Sequence, residues 1–596
     1  MSDETSVPAK AAQRERTVTT LNYLAAILLV PLIILWHQDN ILFGRPGYIS
    51  PWPYFGFFRN LVEFKSTFRS SDTGVRLSWI LPGAAVHKLL PALTASYVLH
   101  LGVHTLASVL LFLTLKWVVS ARRAFLAAML FSLNPYLCWA TGWDYVDGIT
   151  IVYCLLTMTL LTWSALVPQR RWPLLGAGMS FAAMVYCNSD WMVLFLLPLY
   201  YVALVYTWHR IPLARSFLVL CGWFGSGCVI VTVAFSATNK YLEGSFLSFA
   251  GPVLELLHAG HPDPWWSGLW RDGAPTPWLL FLAAACFAAV RMLSYRHDAR
   301  HRLTPEVVLS WQFLAALGWM IVEQLRGISL LGQPYHADIV LPFGFLVIGS
   351  RFWQELDNVT SRNYWFFCQI VAAVLGYAWL DNGMSWIGSL PFPAWLGLVG
   401  VLGSLILRQF PENVILGLAG FFVFTAMGVG LTYGMGTDPH ASRHQFEIVS
   451  EARERLETVR QGRRVHFWYD TQDSANPYAS ALAFSYNGSE SLLSLSFAKP
   501  ACDHPPEPAT LIAVLAGDRL HGPDFVSSVL APCWSKAGLR IVPIETDTYH
   551  KGSGDLVMSL LQVTTVQENR SVVSAGQSIL PFRRFLLELG KLAAVR

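Results

Sequence analysis

The sequence predicts an α-helical polytopic membrane protein of about 13 transmembrane helices, followed by a small C-terminal extracytoplasmic α/β domain. Three observations predict it. Residues AVILMFWYC make up 54% of the 596 and charged residues 13%, about half the charged share of an ordinary soluble domain, and the mean hydropathy is +0.43. Apolar runs of roughly 20 residues, the length that crosses a hydrocarbon core, recur between residues 18 and 434. Beyond Gly434 these runs stop and charged residues return.

Residues 1–17 are polar and basic, with Lys10, Arg14 and Arg16, and lead into the first apolar run without a small-residue cleavage pattern. They read as a cytoplasmic tail before a retained anchor. Spans follow near 18–36, 96–119, 123–141, 149–167, 172–187, 190–208, 216–236, 276–294, 306–324, 338–351, 364–380, 393–408 and 413–434. Lys116, Arg122, Arg123, Arg170, Arg171, Arg210, Arg215, Arg291, Arg296, Arg300, Arg302, Arg351, Arg362 and Arg408 all fall on one side of this threading. That side is the cytoplasm, because short cytoplasmic loops retain Lys and Arg. An odd number of spans then delivers 435–596 to the opposite face. There, Ser450 to Val459 has helical character, and Arg464 to Tyr469, Thr510 to Leu515 and Leu539 to Ile544 read as strands.

Lys and Arg number 42 against 38 Asp and Glu, a formal charge of +4, too even for a phosphate-seeking surface, so nucleic acid is excluded as a partner. The 9 cysteines show no metal-binding spacing. Cys138, Cys154, Cys187, Cys221, Cys228, Cys286 and Cys368 lie in or beside apolar runs and read as small packing residues. Cys502 and Cys533 lie in the tail, where export would allow them to form a disulfide.

The large first outer loop, 37–95, carries Arg45, Arg59, Lys65, Arg69, Arg76 and Lys88, against the positive-inside tendency. Such charges suit an anionic ligand. Aromatic residues interleave with them from Tyr48 to Phe58, as in a short helix lying at headgroup depth. The functional alternative sets Arg76, and less strongly Arg59, against a lipid-linked phosphate, which a guanidinium binds bidentately. Arg45, His87 and Lys88 have no particular spacing and read as solvated or headgroup-facing.

The outer hairpin after the third span reads Trp143, Asp144, Tyr145, Val146, Asp147, Gly148. Carboxylates at i and i+3 at a helix start share one face; alternatively Asp144 is an N-cap and Asp147 a first-turn residue complementing the helix dipole. Ionisable groups at membrane depth are costly unless they serve a site. Asp190, Glu323, Arg326, Tyr335, His336 and Asp338 reach the same side of the threading, so acids and bases from separate hairpins converge on one outer chamber.

These stretches, Tyr54-Phe-Gly-Phe-Phe-Arg-Asn-Leu with Arg76-Leu-Ser-Trp-Ile-Leu-Pro-Gly, then Trp143-Asp-Tyr-Val-Asp-Gly and Tyr335-His-Ala-Asp-Ile-Val-Leu-Pro-Phe, together with the spans and tail, resemble the GT-C superfamily of integral-membrane glycosyltransferases. The resemblance is to its protein mannosyltransferase and aminoarabinose transferase branch and covers most of 18–435. It implies a bacterial inner-membrane enzyme that transfers a sugar with inversion from a polyprenyl-phosphate donor to a cell-envelope glycan, lipid or protein on the outer face. A carboxylate would deprotonate the acceptor and cationic groups would stabilise the departing phosphate. In this frame Arg76, Arg59, Arg326 and His336 are donor-phosphate ligands, and Trp52, Tyr54, Trp143, Tyr335 and Asp338 are substrate contacts. Relatives commonly place an Asp shortly before the first-loop aromatic segment, where this chain has Ser50. The base role then passes to Asp144, Asp147 or Asp39. A hard divalent cation could be held by several of these acids, but no spacing requires a metal. Two other readings stand beside the transferase: a flippase for a lipid-linked saccharide, and a non-catalytic relative acting in envelope glycan assembly.

Overall fold

The computed structural model describes residues 19–29, 50–68, 73–142, 144–188, 196–247, 276–297, 303–325, 340–356, 440–486, 502–503, 505–517 and 526–565. The chain divides into two compact units: Met1–Arg45 with Phe57–His440, and Pro46–Gly56 with Ala441–Arg596.

The first unit is helical among its described residues. Its helices are α1 (Thr19–Leu29), α2 (Trp52–Arg59, shared with the second unit), α3 (Leu61–Phe68), α4 (Leu77–Leu89), α5 (Ala92–Val118), α6 (Ala121–Ser132), α7 (Pro135–Thr141), α8 (Asp147–Leu166), α9 (Trp172–Cys187), α10 (Leu196–His209), α11 (Leu213–Glu243), α12 (Thr276–His297), α13 (Pro305–Leu325) and α14 (Leu341–Leu356). Among the described residues, four apolar helical stretches, Ala92–Val118, Asp147–Leu166, Leu213–Leu242 and Pro305–Val322, are long enough to cross a membrane. α5 packs on α6 and α8, α8 on α9, and α9 on α11, while α12, α13 and α14 pack together. α9 approaches α11 so closely that a Cβ at Gly178 would collide with the Phe224 carbonyl.

Several expectations are corrected here. The run near 123–141 is broken into two helices rather than forming one continuous helix. Pro135 lacks an N–H and disfavours a helical residue before it, and the Asn134 side chain instead accepts from the Leu137 N–H at 3.2 Å, starting α7. The 12-residue α6 reaches about 18 Å, so by itself it covers only part of the hydrocarbon core. The first-loop rings are covered by protein rather than presented outward: Trp52, Tyr54, Phe55, Phe57 and Phe58 are all buried. His87 is buried as well, its ring 5.4 Å from that of Phe58, whereas Lys88 is exposed as expected. Lys65 is also buried and donates to the Gly74 carbonyl at 2.6 Å. The spans expected at 364–380, 393–408 and 413–434 lie outside the described residues.

The second unit holds a four-stranded sheet of order β1-β2-β4-β3: β1 (Val465–Tyr469), β2 (Leu511–Ala516), β3 (Leu539–Lys551) and β4 (Gly554–Thr565). β1 and β2 are parallel, joined through the helix Asn476–Phe484, and β3 and β4 form an antiparallel hairpin. The hairpin turns at Gly552, whose φ of 58° suits a residue without Cβ. Edge strand β3 bulges between Pro543 and Glu545, where a proline's missing donor is tolerated. Helices α15 (Ala441–Arg460) and α16 (Asn476–Phe484) pack on the sheet. A core of Trp468, Ile512, Val514, Leu530, Trp534 and Val563 lies against α17 (Ala531–Lys536), next to the Cys502–Cys533 disulfide. Within this unit Trp52 stacks on Phe446 at 6.1 Å and Phe55 meets the same ring edge-on at 5.1 Å.

Candidate functional site

The site forms where α4, α5 and the α7–α8 hairpin meet in the helical unit. Arg76 immediately precedes α4 and Trp79 lies in its first turn, so both address the hairpin that carries the two carboxylates. The hairpin closes tightly because Gly148 has no side chain: a Cβ there would sit 2.7 Å from the Ala140 carbonyl oxygen and 2.8 Å from Thr141 Cα.

Helix α8 begins at Asp147, behind an N-cap, Val146, that makes no side-chain cap. Asp144 therefore neither caps the helix nor shares a helical face with Asp147. It lies in the bend before α8, and its Oδ1 is 2.9 Å from His100 Nε2 on α5. A carboxylate oxygen accepts, so Nε2–H donates. The Asp144 carbonyl accepts the Trp79 indole N–H at 2.8 Å across 65 residues of sequence. Tyr153 Oη, nearly two turns into α8, donates to the Ser78 carbonyl at 3.0 Å and ties α8 to α4.

Arg76, Asp144 and Asp147 are 8%, 5% and 4% exposed. The Arg76 guanidinium lies 5.6 Å from the centroid of the Tyr145 ring and within electrostatic reach of Asp147. Asp147 Oδ2 is buried and makes no hydrogen bond. An unmet carboxylate oxygen beside a guanidinium is costly in a low-dielectric interior. That oxygen keeps acceptor capacity to spare.

Sequence reasoning missed His100 and His104. Both lie on a buried file of α5, Ser96, His100, His104 and Ser108, each no more than 1% exposed, and the four-residue step that places them on one helix face was there to be read. His104 Nδ1 meets Thr141 Oγ1 at 3.1 Å and Nε2 meets Ser132 Oγ at 3.2 Å. Thr141 donates its own proton to the Leu137 carbonyl at 2.7 Å, so it accepts from His104 Nδ1–H and Ser132 donates to Nε2. Outside the spans, burial pushes the His87 imidazole down to about 4, with Arg59 and His100 acting in the same direction and Asp144 against it.

Of the other expected site residues, Arg59 is exposed at the end of α2, and Ser50 is exposed in the turn before it. Trp52 and Tyr54 are buried in the second unit. Asp39, Trp143, Asp190, Arg326, Tyr335, His336 and Asp338 lie outside the described residues, as does the Glu323 side chain. Among the described residues no three His, Cys, Asp or Glu side chains gather to hold a metal ion.

No family model and no curated protein matches the chain. Its structure is similar to that of ArnT from Cupriavidus metallidurans, in the apo state and bound to undecaprenyl phosphate. For each, the identity is 12% and the TM-score 0.43, covering 91% of this chain and 98% of the other. It is also similar to the Archaeoglobus fulgidus oligosaccharyltransferase in the apo form, at 12% identity and a TM-score of 0.40 over 79% of this chain and 64% of that one. The same holds for archaeal AglB in complex with an inhibitory peptide and a dolichol-phosphate, at 13% identity and a TM-score of 0.39 over 78% and 63%.

Proposed function

We infer that the chain is an integral-membrane glycosyltransferase that moves a sugar from a polyprenyl-phosphate donor to a hydroxyl of a cell-envelope glycan, lipid or protein. The observation that carries this reading is the burial of Arg76, Asp144 and Asp147 around one hairpin of an apolar helical unit, with an Asp147 oxygen left unbonded. Buried ionisable groups among membrane helices mark sites and pathways. Here one cation and one carboxylate with spare capacity match the two needs of the reaction: positive charge at the leaving phosphate, and a base for the incoming hydroxyl.

In this mechanism Arg76 binds the donor phosphate and offsets the charge that grows on it as the glycosidic bond breaks. Asp147 accepts the acceptor's proton as its oxygen attacks the opposite face of the anomeric carbon, so the product is inverted. A serine hydroxyl is un-ionised and only weakly basic at neutral pH, so Ser50 does not suit this role, and the base function rests with Asp147. Retained Lys and Arg on one side of the threading support a cytoplasmic-membrane location with the site on the outer face. The Cys502–Cys533 disulfide supports export of the C-terminal unit to an oxidising compartment. The C-terminal unit would position the acceptor.

The test supplies the purified full chain in nanodiscs with radiolabelled undecaprenyl-phosphate sugars and an envelope extract. Transfer that leaves inverted product is expected. Neither transfer nor donor hydrolysis with any sugar would end the proposal.

A further inference from the structure

Asp144 and Asp147 are three residues apart, yet their surroundings separate them. Asp144 is held at two points, its carboxylate by His100 Nε2 at 2.9 Å and its carbonyl by the Trp79 indole at 2.8 Å. Trp79 is braced in turn by the edge-on ring of Phe58 at 5.4 Å. Asp147 opens α8, and its Oδ2 makes no hydrogen bond. His100 and Asp144 are both buried, so their hydrogen bond is shielded from the water that would weaken a surface pair.

We propose that His100 is a positioning residue that fixes Asp144 as an anchored carboxylate, so that the hairpin presents Asp147, and not Asp144, to the acceptor hydroxyl. The proposal rests on the transferase reading and assigns the two carboxylates different work. In the transfer step the acceptor O–H bond breaks and its proton goes to Asp147 Oδ2. The hydroxyl oxygen bonds to the anomeric carbon, and the bond from that carbon to the phosphate oxygen breaks. Its electron pair leaves on the phosphate, beside Arg76. Asp144 neither gains nor loses a proton. It holds the bend from which α8 starts, and the His100 N–H decides where that bend lies. An outer partner that positions a site is commonly worth about 10- to 100-fold, and here it would act through the bend, because small displacements of the base that follows it degrade the geometry of attack.

The test uses full-length wild type, His100→Leu and His100→Gln in nanodiscs, with labelled undecaprenyl-phosphate hexoses as the probe. His100→Leu is expected to lower kcat by roughly 10- to 100-fold with KM within about twofold. His100→Gln, whose amide N–H can reach the same oxygen, is expected to restore most of that loss. Nitrogen NMR of histidine-labelled protein gives a second readout that needs no activity. An Nε2–H signal from His100 should shift in Asp144→Asn and stay in place in Asp147→Asn. Wild-type kcat in His100→Leu, no rescue by glutamine, or a His100 signal indifferent to Asp144→Asn would each overturn the proposal. Should His100→Leu fail to fold, the glutamine variant and the NMR comparison decide it. If wild type transfers no sugar, the transferase reading falls, while the NMR arm still reports whether His100 holds Asp144.

Discussion

The two units handle charge differently. In the C-terminal unit, Arg455 pairs with Glu545 and Asp547, Lys551 with Glu451, and Arg443 with Glu447, mostly on partly exposed faces of α15 and β3. Even its buried guanidinium, Arg453, is engaged: it donates to the Ser485 carbonyl and hydroxyl and lies over the Tyr486 ring at 4.1 Å. In the helical unit, Asp147 is buried with an oxygen that accepts no hydrogen bond, whereas Asp547 Oδ2 of the C-terminal unit, which also accepts none, still has Arg455 Nε at 3.4 Å. Burial alone is therefore not the signature of a site. Unused bonding capacity at a buried charge is, because folding gains nothing from leaving it unmet.

This contrast can be broken or sharpened by substitution. Asp147→Asn should lower transfer by roughly 10²- to 10⁴-fold while the protein still assembles, measured with labelled undecaprenyl-phosphate sugars; retained activity would remove the helical unit's distinction. Arg76→Gln should cost roughly 10²- to 10³-fold in kcat, with Arg76→Lys recovering part of it, since lysine keeps the charge but not the fork. In the C-terminal unit, Trp534→Ala empties a core position shared with Trp468 and should lower unfolding stability by about 3–5 kcal/mol, read from the denaturation midpoint.

His87 gives a pH test with a definite sign. Its folded pKa of about 4 lies below the ordinary 6.5, so between these values the unfolded chain binds a proton that the folded chain does not. The stability is complete above pH 6.5 and falls as pH drops toward 4, by at most about 3 kcal/mol. His87→Phe should flatten that slope. Arg455→Ala should have the smallest effect, leaving the denaturation midpoint unchanged within error, because exposed ion pairs contribute little. A marked loss there would show that the outer charges are structural after all.

The long helices were legible because apolar length is a direct signal: α9 occupies 172–187 as expected, and α5, α8 and α11 lie where their apolar runs lie. The 123–141 run misled because hydropathy is blind to one missing N–H at Pro135. β1 and β2 were readable from their β-branched and aromatic residues, but β4 was not. Both β2 and the segment Leu556 to Leu561 of β4 are buried throughout and lack alternation, but Thr510, Ile512 and Val514 mark the first by β-propensity, whereas the second holds a single β-branched residue, Val557. In the candidate site, charge drew attention to Arg76, Asp144 and Asp147. His100 escaped because its hydrogen-bond partner is distant in sequence, although its spacing with Ser96, His104 and Ser108 was visible. His87 was misplaced because a polar residue beside an apolar run says nothing about an aromatic ring arriving from α2.

The meeting of Trp52 and Phe55 with Phe446 has a topological consequence. Rings packed together inside one body cannot have a bilayer between them, so Trp52, Phe55 and Phe446 share a compartment. In a chain that crosses a bilayer, whatever leaves that compartment after Phe55 has to return to it before Phe446, which makes an even number of crossings the expectation. The same contact sets an order in synthesis: Trp52 leaves the ribosome long before Phe446 exists, and its indole must wait for nearly the whole helical unit before its stacking partner is made.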